Sequence, residues 1–537
     1  MYVLGMHGNL GKAEHDPAAV LLRDGQIIAA AEEERFVRYK HAVGLMPDAA
    51  IRFCLDQAGI SIRDVDQVAF PRSTWSDFPP RLDAYLWYNF GHTPPVTFVD
   101  HHLAHAASAY LVSGFDKSLI VTVDQAGDGT SCAAFRADGL RLKRLEAVPF
   151  PHSLGLFAAL VTQYLGFRSN HDEYKVMGLA PYGSPTIDVT HILDRIAGLP
   201  QLASDVLHPE VMRRHPTFHT DQLPMFRADR LPGLPPRRMP GGPLSDAHRD
   251  LAASAQHAIT SALLGFIARH RDEEDRRLCL AGGVAENSVA AGAVASARLF
   301  DDVYVAPACG DAGTALGAAL VVAAEHGNRP ARLTHTKFGP EFADSHVAEA
   351  VRNSGVRFTE TDDPAADAAT LIAEQRIVAW FQGRMEFGPR ALGARSLLAD
   401  PSTKVMRERV NQIKRREQFR PFGPSVLAEH MPALFTDPPA APFMSFTLPT
   451  RNHTPIVAAT HVDGTSRPQA VARDNSAYRR LIEHVHGHTG TPAVLNTSLN
   501  SGWEPIVTTP EQAIAFFYAS SADALVINRF LLTKEAR

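Results

Sequence analysis

Short apolar runs alternate with amphipathic helical patterns from residue 1 to about residue 327. In AAVLLRDGQIIAAAEEERF, two apolar runs meet at Asp24-Gly25, a dipeptide typical of the tight turn of a β-hairpin. Two further predicted strands, in SLIVTVDQAGDGT and LCLAGGVAENSVAAGAV, each end in a loop that contains glycine. This alternation of strands and helices predicts a mixed α/β domain.

The loops after these strands carry residues that let a turn approach a phosphate or a metal. One loop contains Asp124, Gly127, Asp128 and Gly129. Another passes through Gly282-Gly283 into a helix, whose first N–H groups are free to bind an anion. Together with the hairpin turn, these loops predict one nucleotide-binding cleft.

Two stretches interrupt the α/β pattern. Residues 184–243 are rich in proline and arginine and have weak periodicity, which predicts an excursion from the first domain. Residues 326–342 lose periodicity again, and the alternation of strands and helices resumes after them. We therefore expect two domains, 1–343 and 344–537, and a length of 537 residues suits that division.

Composition narrows the functional classes. With 45% hydrophobic and 21% charged residues and a net charge of -5, we expect a soluble protein without sequence-wide attraction for nucleic acid. The start lacks the features of a signal peptide, and the longest apolar run, 315–324, is shorter than the roughly 20 residues that cross a bilayer. The cysteines form no CxxC pair, which disfavours a zinc ribbon, a redox motif or disulfides. These features predict a cytoplasmic protein without a membrane span.

The stretch VDHHLAHAASAYL contains a candidate metal site. On a helix, His101 and His105 lie on one face, while His102 points about a third of a turn away. Asp124, at a strand end, and Asp311, in a turn that enters a helix, are candidate oxygen ligands. Imidazole and carboxylate without thiolate suit Fe(II), Mn(II) or Zn(II). The alternative, in which the histidines are buried and the aspartates cap turns, stays open on these residues alone.

A dense group of basic residues lies between positions 384 and 420. Its members are Arg384, Arg390, Arg395, Lys404, Arg407, Arg409, Lys414, Arg415, Arg416 and Arg420. Arginine offers a planar fork for phosphate and lysine a mobile charge, so the group suits two anionic substrates. A solvated basic helix is the favoured interpretation for four members: Lys404, Arg407, Arg409 and Arg415.

Small and neutral residues accompany the basic ones. Gly388, Gly393 and Gly423 would let the backbone approach the oxygens of an anion. Asn496 and Ser498, after a predicted strand, would supply neutral hydrogen-bond donors. The second domain is therefore predicted to bind anions.

Several motifs together resemble the NodU/CmcH-type O-carbamoyltransferases, a family that includes antibiotic-tailoring enzymes. Besides VDHHLAHAASAY, the matching stretches are EHDPAAVLLRDG, AEEERF, KVMGLAPYG, GGVAENS, GDAGTALGAA, GRMEFGPRALGARSLLADP, FRPFGPSVL and VLNTSLN. They are spread over nearly the whole chain, and the Arg-, Gly- and Pro-rich string of the last third is the most diagnostic. The resemblance implies an actin/hexokinase/Hsp70-like domain, similar to the tRNA threonylcarbamoyl-transfer subunit, followed by a YrdC-like α/β domain.

The resemblance also implies an iron-type metal in the first domain. The positions that match the family's ligands are His101, His105, Asp124 and Asp311. The HxEGH motif of the tRNA-modifying branch is replaced by HHLAH, which disfavours tRNA as the acceptor.

The chemistry that the resemblance implies has two steps. Carbamoyl phosphate and ATP with Mg²⁺ would give carbamoyl-adenylate in the YrdC-like domain, and the carbamoyl group would then move to a hydroxyl group. The residues implied for the first step are Arg390, Lys414, Arg420, Arg467, Asn496 and Ser498, followed by Arg395 and Arg416. The residues implied for the nucleotide in the first domain are Lys175, Gly178, Gly282, Gly283 and Asn287. His15, which Asp16 follows, is of the right type for the base that accepts the proton of the hydroxyl group.

Other functions remain compatible with parts of the sequence. A tRNA threonylcarbamoyl transferase would use both domains, a sugar kinase-like ATPase would use the first, and a metal-stabilised assembly module would turn over no ATP. A sugar, aminoglycoside, macrolide or cephem hydroxyl would each suit as acceptor, without nucleic acid or membrane as partner. The metal's identity and the oligomeric state, including a homodimer, stay open.

Overall fold

In the computed structural model the chain forms two compact units. The structure describes residues 1–10, 15–72, 77–196, 198–208, 225–227, 230–474 and 476–534. The first unit comprises Met1–Glu33 and Ala42–Leu333, and the second comprises Glu34–His41 and Thr334–Arg537. Within the predicted excursion at 184–243, residues 197, 209–224 and 228–229 lie outside the described residues.

One five-stranded sheet lies at the start of the first unit. Its strands are β1 (Tyr2–His7), β2 (Ala18–Arg23), β3 (Gln26–Glu32), β4 (Gln67–Phe70) and β5 (Val96–Phe98). They lie in the order β3-β2-β1-β4-β5, with β1 antiparallel to β2 and parallel to β4. Arg23 pairs with Gln26, so Asp24 and Gly25 form a two-residue turn with φ of 50° and 78°. The predicted hairpin is therefore confirmed.

A second five-stranded sheet repeats this arrangement. Its strands are β6 (Lys117–Gly127), β7 (Thr130–Asp138), β8 (Arg141–Pro149), β11 (Arg277–Ala281) and β12 (Asp302–Val305), while β9 (Leu193–Ile196) and β10 (Leu199–Leu202) pair separately. The order is β12-β11-β6-β7-β8, with β6 antiparallel to β7 and parallel to β11. The two sheets thus share one strand order and one set of directions. This duplication confirms the predicted actin/hexokinase/Hsp70-like architecture of the first unit.

Helices pack on these two sheets. They are α1 (Asp48–Ala58), α2 (Phe78–Phe90), α3 (His101–Tyr110), α4 (Leu154–Tyr164), α5 (Glu173–Leu179), α6 (Asp246–His270), α7 (Ser288–Ser296) and α8 (Asp311–Glu325). Helix α8 packs against both α3 and β1. The contact with α3 is very close, because a Cβ atom on Gly317 would lie 1.7 Å from the carbonyl oxygen of Ala104. Helix α3 follows β5 of the first sheet and α8 follows β12 of the second sheet. This close contact holds the two helices side by side.

Helix α6 is long and apolar enough to cross a membrane by length and composition alone. Its most apolar window has a mean hydropathy of 1.4, and 61% of that window is buried inside the structure. The helix packs against α4, α5 and α7, so contacts within the first unit account for its apolar side chains. It is the one such helix among the described residues.

The second unit is built on an eight-stranded mixed sheet. Its strands are β13 (Phe358–Glu360), β14 (Val378–Phe381), β15 (Arg395–Ala399), β16 (Gly423–Leu427), β19 (Gln469–Val471), β20 (Ala493–Ser498), β21 (Ala524–Ile527) and β22 (Phe530–Thr533), while β17 (Leu448–Pro449) and β18 (Thr465–Ser466) pair separately. The order is β13-β22-β21-β14-β15-β20-β16-β19. The helices are α9 (Asp344–Asn353), α10 (Pro364–Ala373), α11 (Lys404–Ile413), α12 (Ala477–Thr489) and α13 (Pro510–Ala519).

Both faces of this sheet are buried by helices. Along β14, Val378 and Trp380 belong to the core cluster that includes residues of α10 and α12. Ala379 and Phe381 belong to the cluster on the other face, which includes residues of α9, α11 and α13. A strand whose alternate residues enter two cores is typical of a sheet between helical layers. The predicted two-domain α/β fold class is confirmed.

A short segment from the N-terminal part of the chain belongs to the second unit. Arg35 is buried, and its Nη2 donates a hydrogen bond of 2.9 Å to the carbonyl oxygen of Gly388. Arg38 donates bonds of 2.7 Å to the carbonyl oxygens of Pro505 and Ile506. The sequence pattern assigned this segment to the first domain, since contacts with distant backbone carbonyls leave no local signal.

Candidate functional site

One strand and two helices bring together the four predicted metal ligands. His101 and His105 occupy the first two turns of α3, and the Asp100 side chain caps that helix by accepting the N–H of Leu103 at 2.9 Å. Asp124 lies near the end of β6, and Asp311 is the first residue of α8. One nitrogen or oxygen atom of each of the four ligands lies within 4.8 Å of all the others.

Distances within this cluster fit a single ion. The Nε2 atoms of His101 and His105 lie 3.0 Å apart, and the Oδ2 atom of Asp124 lies 2.9 Å from the His101 Nε2. Two ligand atoms at about 2.1 Å from one ion and at right angles to each other would be about 3.0 Å apart. The Oδ1 atom of Asp311 is buried with no hydrogen-bond partner among the described residues. The donor set and these spacings suit a divalent cation of the iron, manganese or zinc type.

Close contacts surround the first turn of α3. They involve His102, which lies between the two candidate ligands in sequence, and the ring of His101. His102 is fully buried, and its Nε2 donates to the carbonyl oxygen of Thr130 at 3.0 Å. Its Nδ1 therefore accepts the hydroxyl hydrogen of Thr122, 2.8 Å away. A Cβ atom on Gly127 would lie 2.1 Å from the ring of His101, so the strand can approach this ligand only at a glycine.

Electrostatics favour a cation among these side chains. Burial lowers the pKa of His105, but the hydrogen bond to Asp124 and the negative charges of Asp124 and Asp311 raise it to about 9. Burial raises the pKa of Asp124, but hydrogen bonds to His101 and His105 outweigh it and hold that pKa well below its usual value. The two carboxylates thus stabilise positive charge at this point, whether a proton or a metal supplies it.

The predicted base and its neighbour face the same cluster. The Nδ1 of His15 lies 3.1 Å from the Oδ2 of Asp16. Burial would lower the pKa of His15, but the hydrogen bond to Asp16 and the charges of Asp16, Asp311 and Asp124 raise it to about 9. The carbonyl oxygen of His15 lies 3.3 Å from the Nε2 of His7. The structure therefore pairs His15 with a carboxylate that orients its ring.

The predicted nucleotide turn lies beside a metal ligand. Gly282 has φ of 93°, and a Cβ atom there would lie 2.2 Å from the carbonyl oxygen of Val123. The next N–H, that of Gly283, donates to the Oδ1 of Asp124 at 3.2 Å. Asn287 caps α7 through the N–H of Ala290. A turn that only glycine can form thus connects the metal cluster to a helix N-terminus.

Asn287 and Lys175, two predicted nucleotide contacts, bond to protein groups. The amide of Asn287 exchanges two hydrogen bonds with Gln256, at 2.9 and 3.2 Å. On α5, which also contains the buried Gly178, the Nζ of Lys175 lies 3.1 Å from the Oδ2 of Asp172. Asp172, which the sequence pattern did not indicate, therefore holds Lys175 in place.

Lys414 is the centre of the basic cluster in the second unit. Its side chain is 2% exposed, and its Nζ donates to the Ser498 carbonyl oxygen at 2.5 Å, the Ser498 Oγ at 3.0 Å and the Asn500 Oδ1 at 2.6 Å. Burial, followed by the charges of Arg416, Arg420 and Lys40, holds the pKa of Lys414 well below its usual value. The structure thus brings together Lys414, Arg416, Arg420 and Ser498, as predicted, and adds Asn500 and Lys40. A buried ammonium group beside other cations is suited to bind an anion.

The remaining predicted anion contacts lie on loops of the second unit. Arg390 is half-buried and follows the exposed Pro389. Arg467 lies next to the start of β16, where a Cβ atom on Gly423 would be 2.3 Å from the Arg467 carbonyl oxygen. Arg416 stacks on Phe422, with its guanidinium carbon 4.1 Å from the ring centre. Each of these arginines keeps part of its surface accessible.

Arg395 and Asn496, two predicted substrate contacts, have buried side chains that bond to protein groups. Arg395 is fully buried, and its guanidinium donates to the carbonyl oxygens of Gln382, Gly383, Ala394 and Pro340. The amide nitrogen of Asn496, a residue 2% exposed, donates to the Ala391 carbonyl oxygen and the Ser425 Oγ. These hydrogen bonds position both side chains within the second unit, and their contact with substrate stays a prediction.

The four residues predicted to form a solvated basic helix lie on α11 or directly after it. Lys404 and Arg415 are exposed, while Arg407 and Arg409 are half-buried. Arg409 bonds to Asp523 at 3.0 Å. Lys404 and Arg415 therefore lie on the surface as the sequence predicts. Arg407 and Arg409 are partly covered, and Arg409 forms an ion pair.

Comparison with known proteins identifies the family. The carbamoyltransferase N-terminus model matches residues 8–78 and 84–320, and the carbamoyltransferase C-terminus model matches residues 369–534. Nodulation protein NolNO of Sinorhizobium fredii is 37% identical over 99% of this chain and 83% of its own length. Nodulation protein NolO of Bradyrhizobium diazoefficiens is 40% identical over 81% of this chain and 79% of its own.

A more distant relative has a named reaction. The 3'-hydroxymethylcephem-O-carbamoyltransferase of Amycolatopsis lactamdurans is 27% identical over 96% of this chain and 97% of its own length. Among solved structures, HypF of T. kodakarensis is 14% identical, covers 60% of this chain and 48% of its own, and has a TM-score of 0.34. The two family models, which together match most of the chain, and the relatives show that this chain belongs to the carbamoyltransferase family, as its NodU/CmcH-type motifs predicted.

Proposed function

We propose that this enzyme makes carbamoyl-adenylate from carbamoyl phosphate and ATP in its second unit. In the first unit it then transfers the carbamoyl group to a hydroxyl group of a small molecule. The observation that carries the first half is the buried Lys414 ammonium group, surrounded by Arg416 and Arg420. The reaction of a hexokinase-like first domain would not require this group of cations in the second unit. Binding of two polyanionic substrates does require such cations.

In the first half-reaction the main task of the protein is to stabilise negative charge on the phosphate groups. Water attacks the phosphorus of carbamoyl phosphate and releases phosphate and carbamate. An oxygen of carbamate then attacks the α-phosphorus of ATP and expels pyrophosphate, with Mg²⁺ bound to the nucleotide. Arg420 and Arg390 would bind the phosphate oxygens, and the positive charge of Lys414 would help to stabilise the negative charge that develops on them. A bound phosphate also restores the charge of Lys414, whose pKa burial lowers.

Lys414 is held rigidly enough to act in this way. The Oγ of Ser498 both contacts the Lys414 Nζ and donates to the Asn500 Oδ1 at 2.6 Å. The same Asn500 oxygen accepts from the ammonium group at 2.6 Å. These bonds fix the position of the charge before substrate arrives, so little reorganisation is needed during reaction.

The second half-reaction would take place at the histidine and aspartate cluster of the first unit. His101, His105, Asp124 and Asp311 would hold a divalent cation, whose charge would polarise a phosphate or carbamoyl oxygen. His15, oriented by Asp16, would accept the proton of the acceptor hydroxyl as that oxygen attacks the carbamoyl carbon and AMP leaves. The start of α7 would bind the departing nucleotide through backbone N–H groups, and the Gly282-Gly283 turn would let the nucleotide come close.

The acceptor class follows from chemistry and from the relatives. The cephem carbamoyltransferase acts, by its name, on a hydroxymethyl group of a small molecule. A hydroxyl of a sugar, aminoglycoside, macrolide or cephem type is therefore our proposal for the acceptor, rather than tRNA. We place the reaction in the cytoplasm, as the sequence predicts.

Product analysis without an acceptor tests the proposal. The full-length protein is incubated with Mg²⁺, ATP and carbamoyl phosphate, and carbamoyl-AMP, pyrophosphate and ADP are measured by mass spectrometry. We expect carbamoyl-AMP and pyrophosphate, reduced about 100-fold by Lys414→Met. The matched control is Lys404→Met, which removes an exposed lysine of the same region. ADP without pyrophosphate would instead indicate a kinase-like reaction.

A further inference from the structure

A buried carboxylate lies beneath the loop that carries Arg390. The loop runs from Glu386 to Arg395, and both of its ends are buried, whereas Pro389 at its tip is exposed and Arg390 is half-buried. No regular strand or helix covers residues 386–394, so their backbone groups need other partners. The shape of this loop therefore depends on side chains around it.

Glu386 supplies most of the hydrogen bonds for the returning half of the loop. Its side chain is 2% exposed, and its Oε1 accepts N–H groups of Leu392 at 2.8 Å, Ala394 at 2.7 Å and Arg395 at 3.3 Å. A carboxylate oxygen can accept several such bonds, and bonds to a charged acceptor are stronger than neutral ones. One oxygen atom thus binds three backbone N–H groups within four residues of the chain.

Side chains from neighbouring strands hold the carbonyl groups of the same loop. The Asn496 Nδ2 donates to the Ala391 carbonyl oxygen at 3.0 Å, and the Gln469 Nε2 donates to that of Leu392 at 3.1 Å. The indole N–H of Trp380 donates to the Gly393 carbonyl oxygen at 3.0 Å.

The loop also packs closely. At Gly393, where φ is 103°, a Cβ atom would lie 2.2 Å from the ring of Tyr478. The backbone is therefore fixed by hydrogen bonds on its polar side and by the Tyr478 ring on its apolar side.

We propose that Glu386 is a positioning residue that holds Arg390 where it binds carbamoyl phosphate. It acts through the backbone of the loop and does not touch the substrate. This inference rests on the proposed function, because it takes Arg390 as a contact for one of the two anionic substrates. It assigns Glu386 a role that neither its sequence motif nor the basic cluster indicated.

The different surroundings of the two Glu386 carboxylate oxygens allow the effects of charge and of side-chain length to be distinguished. The Oε1 atom accepts the N–H groups of Leu392, Ala394 and Arg395. The Oε2 atom is buried without a hydrogen-bond partner in the part of the chain that the structure describes. A glutamine keeps an acceptor at Oε1 and the same reach. An aspartate keeps the charge but is shorter by one methylene group. Positioning therefore predicts that Glu386→Gln retains most activity and Glu386→Asp does not.

The test uses the full-length enzyme and a double-mutant cycle. Glu386→Gln, Glu386→Asp, Glu386→Ala, Arg390→Ala and the double variant Glu386→Ala/Arg390→Ala are assayed for pyrophosphate release dependent on carbamoyl phosphate. Thermal unfolding is measured for each variant, and KM is determined separately for carbamoyl phosphate and ATP. A displaced contact of about 1 Å can cost about 100-fold in rate. We expect a loss of that size in kcat/KM for carbamoyl phosphate from Glu386→Ala and Glu386→Asp.

The cycle separates the possible outcomes. The proposal predicts that Glu386→Ala causes no further loss once Arg390 is alanine, because both changes remove the same contact. It is overturned if the two losses multiply, if Glu386→Ala is fully active, or if folded Glu386→Gln is inactive. If Glu386→Ala does not fold, the comparison of Glu386→Gln with Glu386→Asp decides. Failure of the wild-type enzyme to release pyrophosphate would instead contradict the proposed function.

Discussion

Asp124 joins the metal cluster to the glycine turn of the first unit. Its Oδ1 accepts the N–H of Gly283 at 3.2 Å, while its Oδ2 lies 2.9 Å from the Nε2 of His101. One carboxylate therefore touches both the group that would hold the metal and the turn that would hold AMP. A change at this residue should affect metal binding and transfer without affecting the formation of carbamoyl-adenylate in the second unit.

Replacement of Asp124 should remove the metal selectively. We expect Asp124→Ala to lower the metal content of the purified enzyme at least about tenfold. Even loss of a residue that only hydrogen-bonds to a metal ligand lowers metal affinity by about 10- to 100-fold. Metal is measured by inorganic mass spectrometry, and pyrophosphate release is measured in parallel. The control is Asp138→Ala, whose side chain is exposed at the end of β7. Full metal content in Asp124→Ala would contradict the assigned ligand set.

Gly127→Ala should weaken the same site without altering a ligand. The added methyl group would lie 2.1 Å from the His101 ring, so this ring must move. We expect a loss of metal comparable to that of a ligand variant, together with a loss of transfer. Gly265→Ala is the matched control, because a Cβ atom there meets its nearest neighbour at 3.4 Å. Equal metal content in both variants would show that the close approach of Gly127 is unimportant.

The pairing of His15 with Asp16 predicts a pH dependence. A base must be neutral, so the rate of carbamoyl transfer should rise with pH through the pKa of His15, which the Asp16 hydrogen bond helps to raise to about 9. Asp16→Asn removes a negative charge and weakens that bond. The rise should then shift to lower pH by about one unit or more. The transfer rate is followed from pH 6 to pH 10 by single-turnover assay, and an unshifted profile would exclude His15 as the base.

Arg395 should matter for stability rather than for substrate binding. Arg395→Met would leave carbonyl groups of Pro340, Gln382 and Gly383 buried without this donor. We expect a decrease of about 3 kcal/mol in the free energy of unfolding of the second unit, measured by urea denaturation. KM values at a temperature where the variant is folded should stay close to those of the wild type. Arg473→Met, at a side chain that is 78% exposed, is the control.

The proximity of the four candidate ligands could be predicted in part from local signals. His101 and His105 are one helical turn apart, so their common face follows from spacing alone. Asp124 and Asp311 lie where a strand and a helix meet a loop, and such positions face a site in α/β folds. The hairpin at Asp24 was predictable for the same reason, since its turn chemistry is contained in two residues.

The roles of Arg395 and Asn496 could not be predicted from their motifs. A motif shows which residue types occur together, but not which of them face solvent. Arg395 is fully buried, and its carbonyl partners include Pro340, which precedes it by 55 residues. The inclusion of Arg35 in the second unit likewise depends on Gly388, which follows it by 353 residues. Burial and long-range hydrogen bonds of this kind arise only from the folded chain.

Transfer of oxygen from carbamoyl phosphate to AMP is the most direct test of the adenylate mechanism. Carbamoyl phosphate labelled with ¹⁸O at both oxygens of its carbamoyl group is incubated with the full-length enzyme, Mg²⁺ and ATP, and the nucleotides are analysed by mass spectrometry. Attack of carbamate on the α-phosphorus predicts labelled carbamoyl-AMP, and labelled AMP when the carbamoyl group leaves. Unlabelled AMP, or ADP as the only nucleotide product, would contradict the mechanism.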